Sequence, residues 1–139
     1  MTRTGPARPA DAPFAAGRLA NARAFLEAAE VAVALAEPGD NANPILSHVV
    51  HAVIAYTDAL TVRFGGRVNQ KNHDAAVRVL RAALGNRLPR AQETRVARIL
   101  GQKDAVQYGA RQGRLTRAME LLEEAREFAR WAESTLWEP

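Results

Sequence analysis

Two histidines in the first half of the chain have a spacing that could bring them to one metal ion. His48 and His51 are three positions apart in a stretch that predicts a helix, so their side chains fall near one face. A metal centre in a helical bundle needs further ligands from facing helices, often as Glu-x-x-His pairs. The chain contains no Glu-x-x-His, no His-x-x-x-His and no cysteine. We therefore predict no metal site and no thiol chemistry.

The sequence also lacks the motifs typical of other catalytic and nucleotide-binding sites. Asp58 lies two turns after His51 on the same side of the predicted helix, so the two could couple only through a neighbouring group. The sequence has no Gly-x-Gly-x-x-Gly, no phosphate-binding loop and no Gly-x-Ser-x-Gly, and Ser47 and Ser134 fall inside predicted helices. We predict no cofactor and no serine-based hydrolysis.

The composition indicates that helices position these residues. A chain of 139 residues can bury one core and is too short for two ordinary domains. It holds 29 alanines, with 47% hydrophobic and only 6% aromatic residues. Alanine favours helices, whereas a β-sandwich needs many branched and aromatic side chains. The sequence therefore predicts an all-α fold, an antiparallel four- to five-helix up-and-down bundle.

Apolar spacing and capping residues give the predicted helix boundaries. The second helix is the most hydrophobic and is expected at the centre of the bundle. Asn43 before one helix, and Asn72 or Asn69 before another, can accept a hydrogen bond from an unpaired helical N–H. No segment alternates as a strand does. The predicted helices span residues 14–36, 44–64, 73–84, 89–101 and 115–137, with a short helical turn at 103–108.

The N-terminal residues are predicted to be disordered instead of helical. Prolines at positions 6, 9 and 13 indicate a disordered tail over residues 1–13, which leaves a single bundle domain over 14–138. The tail has no apolar run typical of a signal peptide. The longest uncharged stretch, residues 41–57, is shorter than the roughly 20 apolar residues of a membrane span. We expect a cytoplasmic protein without membrane contact.

Positive charge is concentrated in the middle third of the chain. Residues 61–103 contain ten basic and two acidic side chains, while each flanking part has a net charge of −2. Such a segment could attract phosphate backbones, or it could be a solvated helix surface. Phe64, at the edge, is the one aromatic residue near these arginines, so base-stacking partners are lacking. The candidate RNA contacts are Arg78, Arg81, Arg87, Arg95 and Arg98.

Three segments share their order and residue types with a known group of helical domains. Residues 51–60 read His-Ala-Val-Ile-Ala-Tyr-Thr-Asp-Ala-Leu, and a glycine turn separates them from Asn-His-Asp-Ala-Ala at 72–76. Residues 100–108, Leu-Gly-Gln-Lys-Asp-Ala-Val-Gln-Tyr, precede a long alanine-rich helix. Over residues 15–137 the chain resembles the HEPN superfamily, found in prokaryotic nucleotidyltransferase and toxin–antitoxin systems. The resemblance implies a HEPN-like bundle.

The same resemblance implies a candidate ribonuclease pair. Active members are metal-independent ribonucleases with an arginine followed, after four to six intervening residues, by a histidine, and Arg67 and His73 match with five intervening residues. The histidine could exchange a proton while the arginine stabilises the charged phosphorane. In active members the pair lies near the final helices, where this chain carries Lys103 and Tyr108 and no histidine. A turn residue and a helix-start side chain are the alternative interpretation of Arg67 and His73.

These observations lead to three functional hypotheses. The first is a non-catalytic HEPN-like interaction or substrate-presenting module that acts with a separately encoded, nucleotidyltransferase-type partner. Its candidate binding residues are Lys103, Tyr108, Arg78 and Arg81. The alternatives are a toxin-like endoribonuclease that uses Arg67 and His73, and a basic helical protein that binds RNA without chemistry.

A homodimer is also predicted. The second and last helices carry apolar residues on more than one side, and a single bundle does not obviously cover all of them. Exposed apolar surface usually marks an interface, and two-fold dimers are the commonest oligomers. The residues on which this prediction depends are Val50, Ile54, Trp131 and Trp137.

Overall fold

The computed structural model describes residues 7–70 and 72–139, without the side chains of His73, Gln107 and Tyr108. The prediction of an all-α helical bundle is confirmed. A 3₁₀ turn at Gly85–Arg87 links the third and fourth helices. The helices are α1 (Ala12–Leu35), α2 (Asn43–Gly65), α3 (His73–Leu84), α4 (Arg90–Leu100), α5 (Lys103–Tyr108) and α6 (Leu115–Leu136), and two short strands are β1 (Ala7–Pro9) and β2 (Arg67–Asn69).

Helix α2 forms the centre of the bundle, as its hydrophobicity predicts. It packs against α1, α3, α4, α5 and α6, and its side chains are buried on most sides. By length and composition α2 could also cross a membrane, because it includes more apolar residues than the uncharged run 41–57 alone. However, 72% of its most apolar window is buried within the protein, which is typical of a core helix.

Helix α1 lies at the edge of the bundle. It packs chiefly against α2, and only Ala22 and Ala29 along its length are fully buried. Two ion pairs join it to α6: Arg23 donates to Glu133 at 2.6 Å, and Arg126 donates to Glu30 at 2.8 Å. Because the residue numbers rise along α1 as they fall along α6, the two helices run antiparallel.

The helix ends follow the predicted capping chemistry in part. The Asn72 side chain caps α3 by accepting from the Ala75 N–H at 3.0 Å, as predicted. The prediction that Asn43 caps α2 is wrong, because Ala42 occupies the cap position and Asn43 is already helical. The Asn43 side chain instead accepts from the Gly113 N–H at 2.9 Å and donates to the Arg111 carbonyl at 3.0 Å. It therefore anchors the loop before α6.

The structure corrects the predicted disordered tail for residues 7–13. Strand β1 pairs antiparallel with β2, with Ala7 opposite Asn69 and Pro9 opposite Arg67. Asp11 then caps α1 by accepting from the Phe14 N–H at 3.1 Å. The prediction that the chain has no strand is also wrong. The two strands are too short to show alternation in the sequence, and the paired residues are about 60 positions apart in the chain.

The surface on which the homodimer prediction depends is mostly covered within one chain. Val50 is buried, whereas Ile54 and Trp131 are half-buried against the core. Trp137 remains 78% exposed. Three of these four residues therefore contribute to the fold of one copy, and the homodimer itself stays a prediction.

Candidate functional site

A polar cavity of about 100 Å³ lies beside the central helix. One wall belongs to α2, the second to the junction of β2 and α3, and the third to the junction of α4 and α5. The short β2 strand and the capped start of α3 hold two carboxamides over the cavity. Its lining residues are Ile54, Thr57, Asp58, Asn69, Asn72, Ala76, Leu100 and Lys103.

The Thr57 hydroxyl is the most unusual group in this cavity wall. Thr57 is only 1% exposed, and its Oγ1 atom has no hydrogen-bond partner within the described part of the chain. A buried hydroxyl without a partner costs about 1–3 kcal/mol. One turn later, Thr61 is equally buried but contacts the Asp58 carbonyl at 3.2 Å. The unpartnered state of Thr57 is therefore not a general property of threonines in α2.

Asp58 supplies the carboxyl group of the cavity. Its Oδ2 accepts from Arg18 Nε of α1 at 3.0 Å, and its side chain is 14% exposed. Burial raises the pKa of Asp58 to about 6, although the Arg18 guanidinium acts in the opposite direction. Desolvation dominates because this carboxyl gives up most of its water for one cationic partner. Asp58 can consequently gain or lose a proton close to neutral pH.

Lys103 lines this cavity and also a smaller one that His51 lines. Burial, and then the positive charge of Lys103, lower the pKa of His51. Phe25 packs on both histidine rings, with centroid distances of 5.2 Å to His51 and 6.5 Å to His48. The histidines thus belong to the contact between α1 and α2.

The chemistry available here is binding and proton exchange. A cavity of this size has room for about three water molecules or a small polar group. Lys103 and Thr57 can donate hydrogen bonds into it, and Asp58 can accept. Over the described residues, no group of three or more His, Cys, Asp or Glu side chains could hold a metal ion. Among the described residues, no base lies within hydrogen-bond distance of the Thr57 hydroxyl, and nucleophilic catalysis requires one.

The predicted ribonuclease pair is only partly visible. Arg67 lies in β2, and its Nη2 donates to the Ala7 carbonyl at 2.6 Å, so the guanidinium holds β1 against β2. His73 is the first residue of α3, and its side chain lies outside the described part of the molecule. The structure therefore gives Arg67 a contact within the fold, and pairing with His73 stays a prediction.

The predicted binding residues have different environments. Lys103 reaches the polar cavity, while the side chain of Tyr108 lies outside the described residues. Arg78 is exposed on α3. Arg81 donates to the carbonyls of Gly85 and Leu88 at 2.6 and 3.0 Å, and to Glu93 at 2.7 Å. Its guanidinium thus closes the end of α3.

Most of the other candidate RNA contacts are also paired within the fold. Arg95 and Arg98 both donate to Glu124 of α6, at 3.0 and 2.7 Å. Arg87 donates to Glu138 at 2.9 Å and packs over the Phe64 ring. Two carboxylates near the C-terminus, Glu124 of α6 and Glu138 after it, therefore pair with three of the arginines in residues 61–103.

Sequence analysis missed Thr57 as a residue of interest and did not place Asp58 with Lys103. One signal was present: Thr57 and Asp58 are adjacent polar residues near the middle of the most apolar helix. No family model matches this chain, and no curated protein has a significant match to it.

Proposed function

We propose that the protein is a non-catalytic helical interaction module, as its resemblance to the HEPN superfamily implies. The observation that carries this proposal is the outward face of α1. Val31 and Leu35 are 53% and 78% exposed on this face, and the neighbouring exposed positions include Ala20 and Ala24. An apolar face of this length that the fold itself leaves uncovered usually marks a protein-binding surface.

The positions of the arginines also support binding without RNA cleavage. Arg67, the candidate catalytic arginine, uses Nη2 to hold the two strands together. Arg81, Arg95 and Arg98 contact acidic side chains of their own chain. Arginines that already have partners attract phosphates less strongly than free ones, because those contacts must be given up.

A cleavage assay tests this proposal against the endoribonuclease alternative. Purified protein is incubated with mixed RNA at equal concentration, with and without a chelator. We expect the RNA to stay intact, with the Arg67→Ala protein indistinguishable from the wild type. Chelator-resistant cleavage that Arg67→Ala and His73→Ala both abolish, at unchanged melting temperature, would overturn the proposal.

RNA binding without chemistry is tested by its salt dependence. Arg78 is the candidate contact to examine, because it is exposed, and Arg81 is its matched control on the same helix. If RNA binds, Arg78→Ala should reduce the log–log salt slope by about 0.7 for a single strand, at constant melting temperature. Arg81→Ala should instead lower the melting temperature. We expect no binding at physiological salt.

A separately encoded partner of the nucleotidyltransferase type forms part of the proposal, and the gene beside this one can identify it. Co-expression with that gene product should yield a complex that survives purification. If the neighbouring gene encodes a protein unrelated to nucleotidyltransferases and the two proteins elute separately, this part of the proposal fails.

A further inference from the structure

The outward face of α1 contains an unbroken apolar row, which we call the α1 seam. Its members recur at spacings of 4, 3, 4, 4, 3 and 4, so they stay on one side of the helix. All are exposed except Ala28, which is half-buried. The α1 seam consists of Pro13, Gly17, Ala20, Ala24, Ala28, Val31 and Leu35.

The spacing of the α1 seam reads the same in both directions from Ala24. If a second α1 packs antiparallel across a two-fold axis at Ala24, Gly17 of one copy lies opposite Val31 of the other. In the same register Pro13 lies opposite Leu35 and Ala20 lies opposite Ala28. Val31 and Leu35 of one copy therefore meet the smaller Gly17 and Pro13 of the other, and the alanines between them meet each other. This self-complementarity is what a two-fold interface requires.

Charge at the edge of the α1 seam agrees with this register. Glu27 is exposed beside the seam and has no ion-pair partner within the described part of the chain. In the antiparallel register it comes near Arg23 of the second copy, and the symmetry repeats the contact. Arg23 is half-exposed and already bonded to Glu133, so its guanidinium can serve both carboxylates.

The N-terminal end of the seam adjoins an apolar cavity. Ala12, Ala16 and Leu19 of α1 line this space of about 260 Å³, and Leu136 and the exposed Trp137 close its other side. In the antiparallel register, Leu35 of a second copy lies opposite Pro13, which directly follows Ala12 of this lining in the chain.

We propose that a second copy of this chain packs antiparallel on the α1 seam, with the two-fold axis at Ala24. This inference rests on the proposed interaction function and identifies one partner for it. The interface differs from the one that the sequence predicts on α2 and α6. Glycine and alanine at four of the seven seam positions allow the two helix axes to approach to about 8 Å.

The size of the α1 seam sets the expected strength of association. A helix of 24 residues is about 36 Å long and roughly 10 Å wide, which gives a footprint of about 360 Å² on each copy. Stable complexes bury about 800 Å² per partner. We therefore expect a dimer that dissociates in the micromolar range, and measurements must extend to several hundred micromolar protein.

Sedimentation equilibrium over that concentration range tests the proposal. The mass should rise from the chain mass of 15.1 kDa towards twice that value. Ala24→Glu places two carboxylates face to face at the axis and should weaken association at least about tenfold. Ala97→Glu is the matched control, because Ala97 is an exposed alanine inside α4 and outside the seam. A wild type that is monomeric throughout, or two variants of equal affinity, would overturn the proposal.

Cysteine cross-linking tests the orientation, because the natural chain has no cysteine. Ala24→Cys should form a disulfide dimer under mild oxidation, because it faces its own copy at the axis. Val31→Cys should not cross-link to itself, since the two positions are about 21 Å apart along an antiparallel pair. A mixture of Gly17→Cys and Val31→Cys should form the mixed dimer. Self-cross-linking of Val31→Cys would indicate a parallel pair and overturn the arrangement.

The failure of this inference can be told apart from that of the proposed function. A protein that stays monomeric and leaves RNA intact contradicts only the α1 seam as a self-association surface. Chelator-resistant RNA cleavage contradicts the interaction module, whatever mass is measured.

Discussion

Replacing Thr57 by valine should make the protein more stable. Valine has nearly the shape of threonine, so the change removes the hydroxyl and keeps the packing of α2. Because Oγ1 is buried without a partner, the substitution relieves a desolvation cost of about 1–2 kcal/mol. For a chain of 139 residues, each kcal/mol corresponds to a melting shift of about 3–4 °C. We expect calorimetry to show an increase in melting temperature of about 3–8 °C.

Thr61→Val is the matched control for this prediction. Thr61 lies one turn further along α2 and is equally buried, but its hydroxyl contacts the Asp58 carbonyl at 3.2 Å. Losing that bond should lower the free energy of unfolding by about 0.5–1.5 kcal/mol. The two valine variants should therefore shift the melting temperature in opposite directions.

A fall in melting temperature for both variants would refute this reasoning. It would mean that the Thr57 hydroxyl is satisfied in solution by a molecule held in the polar cavity. If Thr57→Val leaves the melting temperature unchanged while Thr61→Val lowers it, the desolvation cost of the Thr57 hydroxyl is near zero. That result would also contradict the prediction.

Three further predictions concern single groups. Between pH 4 and pH 6 the folded protein should hold a proton on Asp58 that the unfolded chain releases, so stability from this group falls as pH rises. The free energy of unfolding of Asp58→Asn relative to wild type should thus rise by about 2 kcal/mol from pH 4 to pH 7 in denaturant titrations, and parallel curves would contradict this. Lys103→Gln should raise the pKa of His51 towards, but not above, 6.5, because burial remains; an unchanged NMR titration would show that the lysine charge does not act there. Gly17→Ala should add about 0.5–1 kcal/mol to the stability of dilute protein, since a methyl group meets no atom within 4 Å, and a lower melting temperature would count against it.

Local sequence signals determined the helices and several of their ends. The apolar periodicity of residues 44–64 was sufficient to predict a central helix, because burial on most sides requires apolar residues on most sides. Asn72 and Gly85 mark the ends of α3 through short-range geometry, a side-chain cap and a positive φ of 55°. Such features involve neighbours in the chain, so they can be recognised without a fold.

Contacts between distant residues could be assigned only from the tertiary structure. The sequence alone shows where the basic residues are concentrated, but only the packing of α4 against α6 brings Arg95 and Arg98 to Glu124. The pairing of β1 with β2 likewise depends on backbone groups about 60 residues apart.

In the candidate site too, the sequence determines some properties and only the tertiary structure decides the others. Sequence identifies Asp58 as a charged residue in an apolar helix, but its pKa depends on how much water the neighbouring elements exclude. Whether the Thr57 hydroxyl has a hydrogen-bond partner depends on the positions of all the groups that surround it in the folded protein. The α1 seam, in contrast, is a pattern in one helix that the sequence already contains. Only the tertiary structure shows that its own chain leaves it uncovered, because α2 and α6 pack on the other sides of α1.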